Sequence, residues 1–417
     1  MKKIVCLFFS LMLVLSLVAC AAAPDAAPGG SGGGFKGDAE VGGDYAAGDD
    51  VLAPGEEEPE EGNNQVIIPA SQITACAYND NEYFDFWKSL LTTNQEGVGL
   101  FNEYYKTFAF KNVNRIKLTF PAKTYVEVSL LKDDNVISKS VSDASGLCYL
   151  YPLEAAESYT IKMRYLGVNG DYIESIETIN GDTDYSQLAA NPIVKERIEL
   201  MFVIDTTGSM GDEINYIKAE VDDVITRVSQ ANPDAQVLLS ILVYRDYGDE
   251  YVTRYSDFNA DINVSKGFLE KEHANGGGDF EEAVDVALKL AASKQWSNTA
   301  TKILVHIADA PAHDANIQEW NDVALEFAAM GVRMITVASS GIDKKTEYFF
   351  RNQSLITNGH YVYITNDSGI GNDHIEATVA KKPVVEYLND ALVRLINGYH
   401  SGIFAAPTYY GNVNKNQ

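Results

Sequence analysis

With 417 residues, 46% of them hydrophobic, the chain is long enough for two domains with real cores. Its formal net charge of −27 leaves no basic footprint for nucleic-acid phosphate, and it favours solubility and cation binding.

The chain opens Met1-Lys2-Lys3 and runs apolar from Ile4 to Val18, a basic start and short apolar stretch of the secretory type. This is shorter than the ~20 residues a transmembrane helix needs. The run ends in Leu17-Val18-Ala19-Cys20, which resembles the lipobox of bacterial lipoproteins. That resemblance implies cleavage of residues 1–19, acylation of Cys20, and a mature chain held to the bacterial membrane on its extracytoplasmic side. Two buried acyl chains anchor stably where one is marginal. No other stretch reads as a membrane span.

Residues 20–65 are dominated by Gly, Ala, Pro, Asp and Glu, with Gly-Gly-Ser-Gly-Gly-Gly at Gly29–Gly34 and Glu-Glu-Glu-Pro-Glu-Glu at Glu56–Glu61. Such a segment buries too little apolar area to offset the entropy of ordering, so a flexible acidic tether is expected.

Residues 66–191 are expected to form a small antiparallel β-sandwich. Tyr125–Leu130 alternates with period two, Asp133-Asp134-Asn135 marks a turn, and Val136–Val141, Leu147–Leu150 and Tyr159–Tyr165 follow as strands. The stretch Val126–Leu150 resembles the carboxypeptidase-regulatory or prealbumin-like β-domains of bacterial surface proteins, which implies a spacer or accessory binding module. Of the four cysteines, Cys6 lies in the leader and Cys20 at the cut. Cys76 and Cys148 are left either to pair or to stay as free thiols.

From about residue 192 to 400 the rhythm changes. Apolar runs at Ile198–Ile204, Val237–Tyr244, Ile303–Ala308, Arg333–Val337 and Tyr361–Ile364 read as strands. They alternate with helical patterns at Glu213–Ser229, Phe280–Ala292, Ile317–Met330 and Val384–Ile396. Strands alternating with helices predict a doubly wound α/β domain with a mainly parallel sheet, and Tyr251–Phe258 fits an antiparallel edge strand. Ligands of such folds bind at the carboxyl ends of the strands. Residues 401–417 are left as a tail.

The first of these strands ends in Asp205-Thr206-Thr207-Gly208-Ser209-Met210-Gly211. Asp205, Thr207 and Ser209 are hard oxygen donors spaced two apart where the chain leaves a strand, a pattern suited to Mg²⁺. The array resembles the metal-ion-dependent adhesion site of von Willebrand factor type A domains. In that family Ser or Thr hydroxyls bind the metal directly and the Asp residues often act through water. Two further loops complete the resemblance. Gly276-Gly277-Gly278-Asp279 stands where relatives more often carry Thr and some carry Asp, and Asp309 follows the strand ending at Ala308. The resemblance therefore implies Asp205, Thr207, Ser209, Asp279 and Asp309 around Mg²⁺, with Mn²⁺ or Ca²⁺ as alternatives. It implies a non-catalytic domain that binds an acidic protein or envelope ligand through the metal. A metal that only stiffens the loops is the structural alternative.

Arg245 and Asp246, also at a strand end, could line the rim or form a surface ion pair. His306 in mid-strand reads as a core histidine. Two enzymatic readings compete. A serine hydrolase would use Ser209 with Asp309 and His313 or His374, but Thr207 stands where a nucleophile elbow needs Gly. A zinc hydrolase would use His306, Asp309 and His313, but a mid-strand His306 faces away from the loop.

Overall fold

The computed structural model describes residues 68–92, 99–108 and 113–412. The leader, Cys20 and the acidic tether lie outside the described residues.

The described chain begins not with the sandwich but with a piece of the α/β unit. Strand β1 (Thr74–Tyr78) is followed by helices α1 (Phe84–Leu91) and α2 (Asn102–Phe108). The sandwich comprises β2 (Ile116–Thr119), β3 (Glu127–Lys132), β4 (Asn135–Val141), β5 (Leu147–Leu150), β6 (Tyr159–Leu166), β7 (Tyr172–Ile179) and β8 (Thr183–Asp184). Two sheets, ordered β5-β2-β8 and β4-β3-β6-β7, enclose a core of Leu118, Phe120, Val128, Leu130, Ile161 and Met163. Asp133 and Asp134, both at positive φ, close the β3–β4 hairpin in the left-handed conformation such two-residue turns need. The predicted strands of this unit are present, and the expected boundary at residue 66 moves to about 113.

The α/β unit continues with β9 (Arg197–Asp205), α3 (Ile214–Ala231), β10 (Gln236–Tyr244), β11 (Thr253–Asn259), α4 (Ile262–Leu269) and α5 (Val284–Ala292). After these come β12 (Ala300–Ala308), α6 (Ile317–Met330), β13 (Val332–Ala338), α7 (Lys344–Ile356), β14 (His360–Ile364), β15 (Val385–Tyr387) and α8 (Leu388–Ser401). The sheet order is β11-β10-β9-β12-β13-β14-β1-β15. Its five middle strands, β10, β9, β12, β13 and β14, run parallel, and β11, β1 and β15 join antiparallel at the two sides. This is the expected doubly wound architecture, with Thr253–Asn259 as the antiparallel edge. The strand residues alternate between two cores, as a sheet covered on both faces requires. Met201 and Val203 pack against α5, α6 and α7, while Leu200, Phe202 and Ile204 pack against α3 and α8.

Helix α7 explains why the amino-terminal segment belongs here. Every residue from Thr346 to Ile356 is buried. One side lies on β13 and β14, and the other is covered by α1 and α2, with Trp87 stacked 6.0 Å from Tyr348. Arg351 reaches Asp80 through two hydrogen bonds of 3.0 and 2.6 Å and Glu347 through one of 3.1 Å.

Cys76 and Cys148 are both free and buried, in β1 and β5 of different sheets. Among the described residues no helix is long and apolar enough to cross a membrane.

The sandwich docks at the amino ends of the parallel strands. Arg333, at the start of β13, donates to the carbonyls of Thr357 and Val141, and Asn358, just before β14, donates to Asp143. The carboxyl ends stay clear of it.

Candidate metal centre

Strand register sets the site. Asp205 at the end of β9 lies opposite Tyr244 at the end of β10, and Ile307 of β12 lies opposite Ile204. Asp309, two residues past Ile307, therefore emerges at the same edge as Asp205.

The β9 loop is fixed by its own hydrogen bonds. Oδ1 of Asp205 accepts the Thr207 N–H at 2.8 Å and the Thr207 hydroxyl at 2.7 Å. The Thr207 and Ser209 hydroxyls stand 3.2 Å apart. Ser209 lies close enough to Asp309 to favour its charged form, which brings the first and third loops together. The second loop crosses between them. Gly208 N–H bonds Gly276 O at 3.1 Å, and Asn275 N–H bonds Thr206 O at 3.0 Å. Two glycines allow this approach. Gly276 and Gly277 both take positive φ, and a Cβ on Gly277 would lie 3.0 Å from Oε1 of Glu282. Asp249 adds a clasp, its Oδ2 accepting the N–H groups of both Asp246 and Gly277.

Glu282 is the residue that sequence reasoning missed. It is 2% exposed, and its carboxyl is pushed up to about 10 by burial and by the charges of Asp205, Asp246 and Asp309. Burial and the neighbouring acids also raise Asp205 and Asp309, opposed at Asp205 by the hydrogen bonds from Thr207 and at Asp309 by nearby Ser209. Oδ2 of Asp205, Oδ1 of Asp309 and Oε2 of Glu282 are buried without any hydrogen-bond partner. A buried unpartnered carboxylate oxygen is costly, and acceptors of this kind from three separate loops suit a hard divalent cation.

Asp279 does not take the place expected of it. It is exposed and groups with Asp246 and His313, their ligand atoms all within 4.8 Å of one another. The short bridge between Glu282 and Ala312, with Glu282 N–H on Pro311 O at 2.9 Å, turns Glu282 inward and leaves Asp279 on the outer bend. The motif Gly-Gly-Gly-Asp-x-x-Glu contained this residue. Only the turn decides which acid faces in.

Arg245 is not a rim residue. It is 1% exposed, bonds the carbonyls of Thr206 and His273, and lies over the Tyr251 ring at 4.4 Å. It is an internal strut under the first loop. Asp246 is at the site, with Oδ1 2.8 Å from Nε2 of His313. His306 sits in the core, 3.1 Å from the Tyr244 hydroxyl, and burial lowers its pKa to about 3. This removes His306 from any site with His313. Nε2 of His374 is 3.2 Å from the Ile370 carbonyl, and among the described residues the side-chain hydrogen-bond partner of Ser209 is Thr207.

The family model described as von Willebrand factor A domain matches residues 199–369, the stretch that carries all three loops. The α/β unit is a von Willebrand factor A-like domain. Similar curated proteins include alpha-protein kinase vwkA of Dictyostelium discoideum, 25% identical over 169 residues, 40% of this chain and 27% of that protein. Another is the putative ariadne-like RING finger protein R811 of Acanthamoeba polyphaga mimivirus, 30% identical over 185 residues, 40% of this chain and 18% of that protein. The chain thus spans about a quarter or less of the length of these relatives. Among solved structures, BatB from Bacteroides thetaiotaomicron aligns with a TM-score of 0.32 and 14% identity over 41% of this chain and 93% of that one.

Proposed function

We propose that the carboxyl-edge site of the von Willebrand factor A-like domain holds a divalent cation and captures an acidic ligand through it. The observation that carries this reading is the set of three buried, unpartnered carboxylate oxygens on Asp205, Asp309 and Glu282, beside the hydroxyls of Thr207 and Ser209. These residues would hold the cation, and the all-oxygen donor set favours Mg²⁺ or Mn²⁺ over softer metals. A cation bound there supplies a Lewis-acidic point for a carboxylate oxygen of the partner. Asp205 orients Thr207 through both its N–H and its hydroxyl. Arg245 keeps the first loop level with the β10 end, and Asp246, Asp279 and His313 flank the opening. The leader ending at Cys20 and the acidic segment after it support a lipid-anchored protein displayed on a bacterial surface, with adhesion or complex assembly as its role.

The experiment is capture from the organism's own cell-envelope extract on immobilised full-length protein, with chelator and then with Mg²⁺ restored. Capture should be lost in chelator, return with Mg²⁺, and be lost in Asp205→Ala. Capture that persists in chelator, or in folded Asp205→Ala, overturns the proposal.

A further inference from the structure

A second site lies at the other pole of the sheet, where the sandwich meets the amino ends of the strands. A cleft of about 410 Å³ opens there, lined among others by Tyr125, Arg164, Lys195, Lys302 and Arg333. In a chain of net charge −27 this gathering of cations stands apart from its surroundings.

Lys302 is the unusual member. It belongs to the middle strand β12, is 7% exposed, and lines the cleft, yet it donates no hydrogen bond and forms no ion pair among the described residues. Its Nζ is not among the fully buried unpartnered atoms, so the ammonium opens onto the cleft with its donors unspent. Glu199 lies near but spends Oε2 on the Ser297 N–H at 2.8 Å, and Glu127 is committed to Arg164 at 2.8 Å. Asp143, also on the wall, is taken up by Asn358, Ser145 and Leu147. Lys195 sets one donor on the Asn298 carbonyl and rests 4.6 Å from the Tyr125 ring centre, and it has no carboxylate partner among the described residues. Arg333 uses two nitrogens on carbonyls, which neutralise none of its charge. Burial holds Lys302 below its ordinary pKa and brings Lys195 down to about 8, the behaviour of ammonium groups short of acceptors.

We infer that this cleft binds a phosphoryl oxyanion, received by Lys302 and Lys195 with Arg333 behind them, wedged between the sandwich and the α/β unit. A phosphoryl group offers three strong acceptor oxygens to the unspent ammonium donors, which a single carbonyl or water cannot match. The volume leaves room for a small organic body beyond the phosphate, against Tyr125 and the apolar wall. The residues are wholly separate from Asp205, Glu282 and Asp309, so this inference and the metal proposal can fail independently.

The test is calorimetric titration of the full chain, free of divalent cations, with inorganic phosphate and with glycerol phosphate. Co-sedimentation with phosphatidylglycerol vesicles runs in parallel. Saturable binding of a soluble probe assigns a free phosphorylated ligand, whereas vesicle binding alone assigns a lipid headgroup. In either case Lys302→Met, and separately the half-buried Lys195→Met, should weaken binding by at least about tenfold, the loss of a charge-assisted hydrogen bond. Lys302→Met should also keep the unfolding midpoint, since the ammonium it removes opens onto the cleft and holds neither a hydrogen bond nor an ion pair. No saturable binding of any probe overturns the inference. So does equal affinity in the wild type and the folded Lys195→Met protein.

Discussion

The carboxylates of Asp80 and Glu347 and those of Asp205 and Glu282 are equally shut off from water, but only the first two have a cation of their own chain beside them. Arg351 reaches Asp80 at 2.6 Å and Glu347 at 3.1 Å, and the nitrogen on Glu347 also donates to the Thr378 carbonyl. At the sheet's carboxyl edge, Asp205 and Glu282 face each other and Asp309, with an oxygen of each left unpartnered. A buried charge closed off by its own chain contributes to architecture. One left open at a strand end is built for something brought from outside, and it costs stability until that arrives.

The largest effect should come from breaking the closed cluster. Arg351→Met leaves buried Asp80 uncompensated and Glu347 with Lys344 alone, and should cost about 3–5 kcal/mol in chemical unfolding, with the amino-terminal strand released from the sheet. Replacing Asp80, Glu347 and Arg351 together by apolar residues should recover much of that loss. A loss within about 1 kcal/mol for Arg351→Met alone would show that aromatic packing around Tyr348, and not the ion pairs, holds this segment.

The open cluster should respond in the opposite sense. Saturating Mg²⁺ should stabilise the wild type by about 2.7 kcal/mol at a hundred times its dissociation constant. Asp205→Ala should abolish the shift. An unchanged melting curve in Mg²⁺ and in Mn²⁺ would erase the distinction between the two clusters. Without metal, Glu282→Gln should be more stable than the wild type at neutral pH by about 1 kcal/mol or more, because the wild-type carboxyl, pushed up to about 10, must take up a proton to be buried there. With Mg²⁺ the order should reverse. That crossing of stabilities would identify Glu282 as a residue kept for binding rather than for folding.

The same contrast explains what could be read from the residues alone. The parallel strands and the helices at 214–231 and 317–330 were legible because each keeps a polar face or a bounded apolar run. Helix α7 was not, since it is buried on all sides and its Glu347 and Arg351 are satisfied internally, which hides the helical period. Strand β1 is five residues long, and its partner β14 lies some 285 positions away, so no local pattern announces it. For this reason the boundary expected at residue 66 assigns β1 to the sandwich, although the strand pairs within the α/β sheet. In the candidate metal centre, Asp205, Thr207, Ser209 and Asp309 follow from strand ends, which sequence patterns mark well. Arg245 does not, because its inward course depends on the carbonyls of Thr206 and His273, set by tertiary contacts.

The smallest expected effect discriminates between the two acids of the second loop. Asp279 was the expected ligand, but it is exposed and grouped with Asp246 and His313, whereas Glu282 is buried facing Asp205. Asp279→Ala should therefore weaken Mg²⁺ binding only slightly, within about threefold, through loss of a screened, exposed charge. Glu282→Gln should weaken it roughly 10–100-fold, the scale on which groups around a metal act. Calorimetric titration of both variants checks this order. If Asp279→Ala proves the more damaging, the loop must swing on binding so that the outer acid turns in. The Gly276–Gly277 turn, with both residues at positive φ, would be its hinge, and Gly277→Ala would then impair metal binding more than either acid replacement.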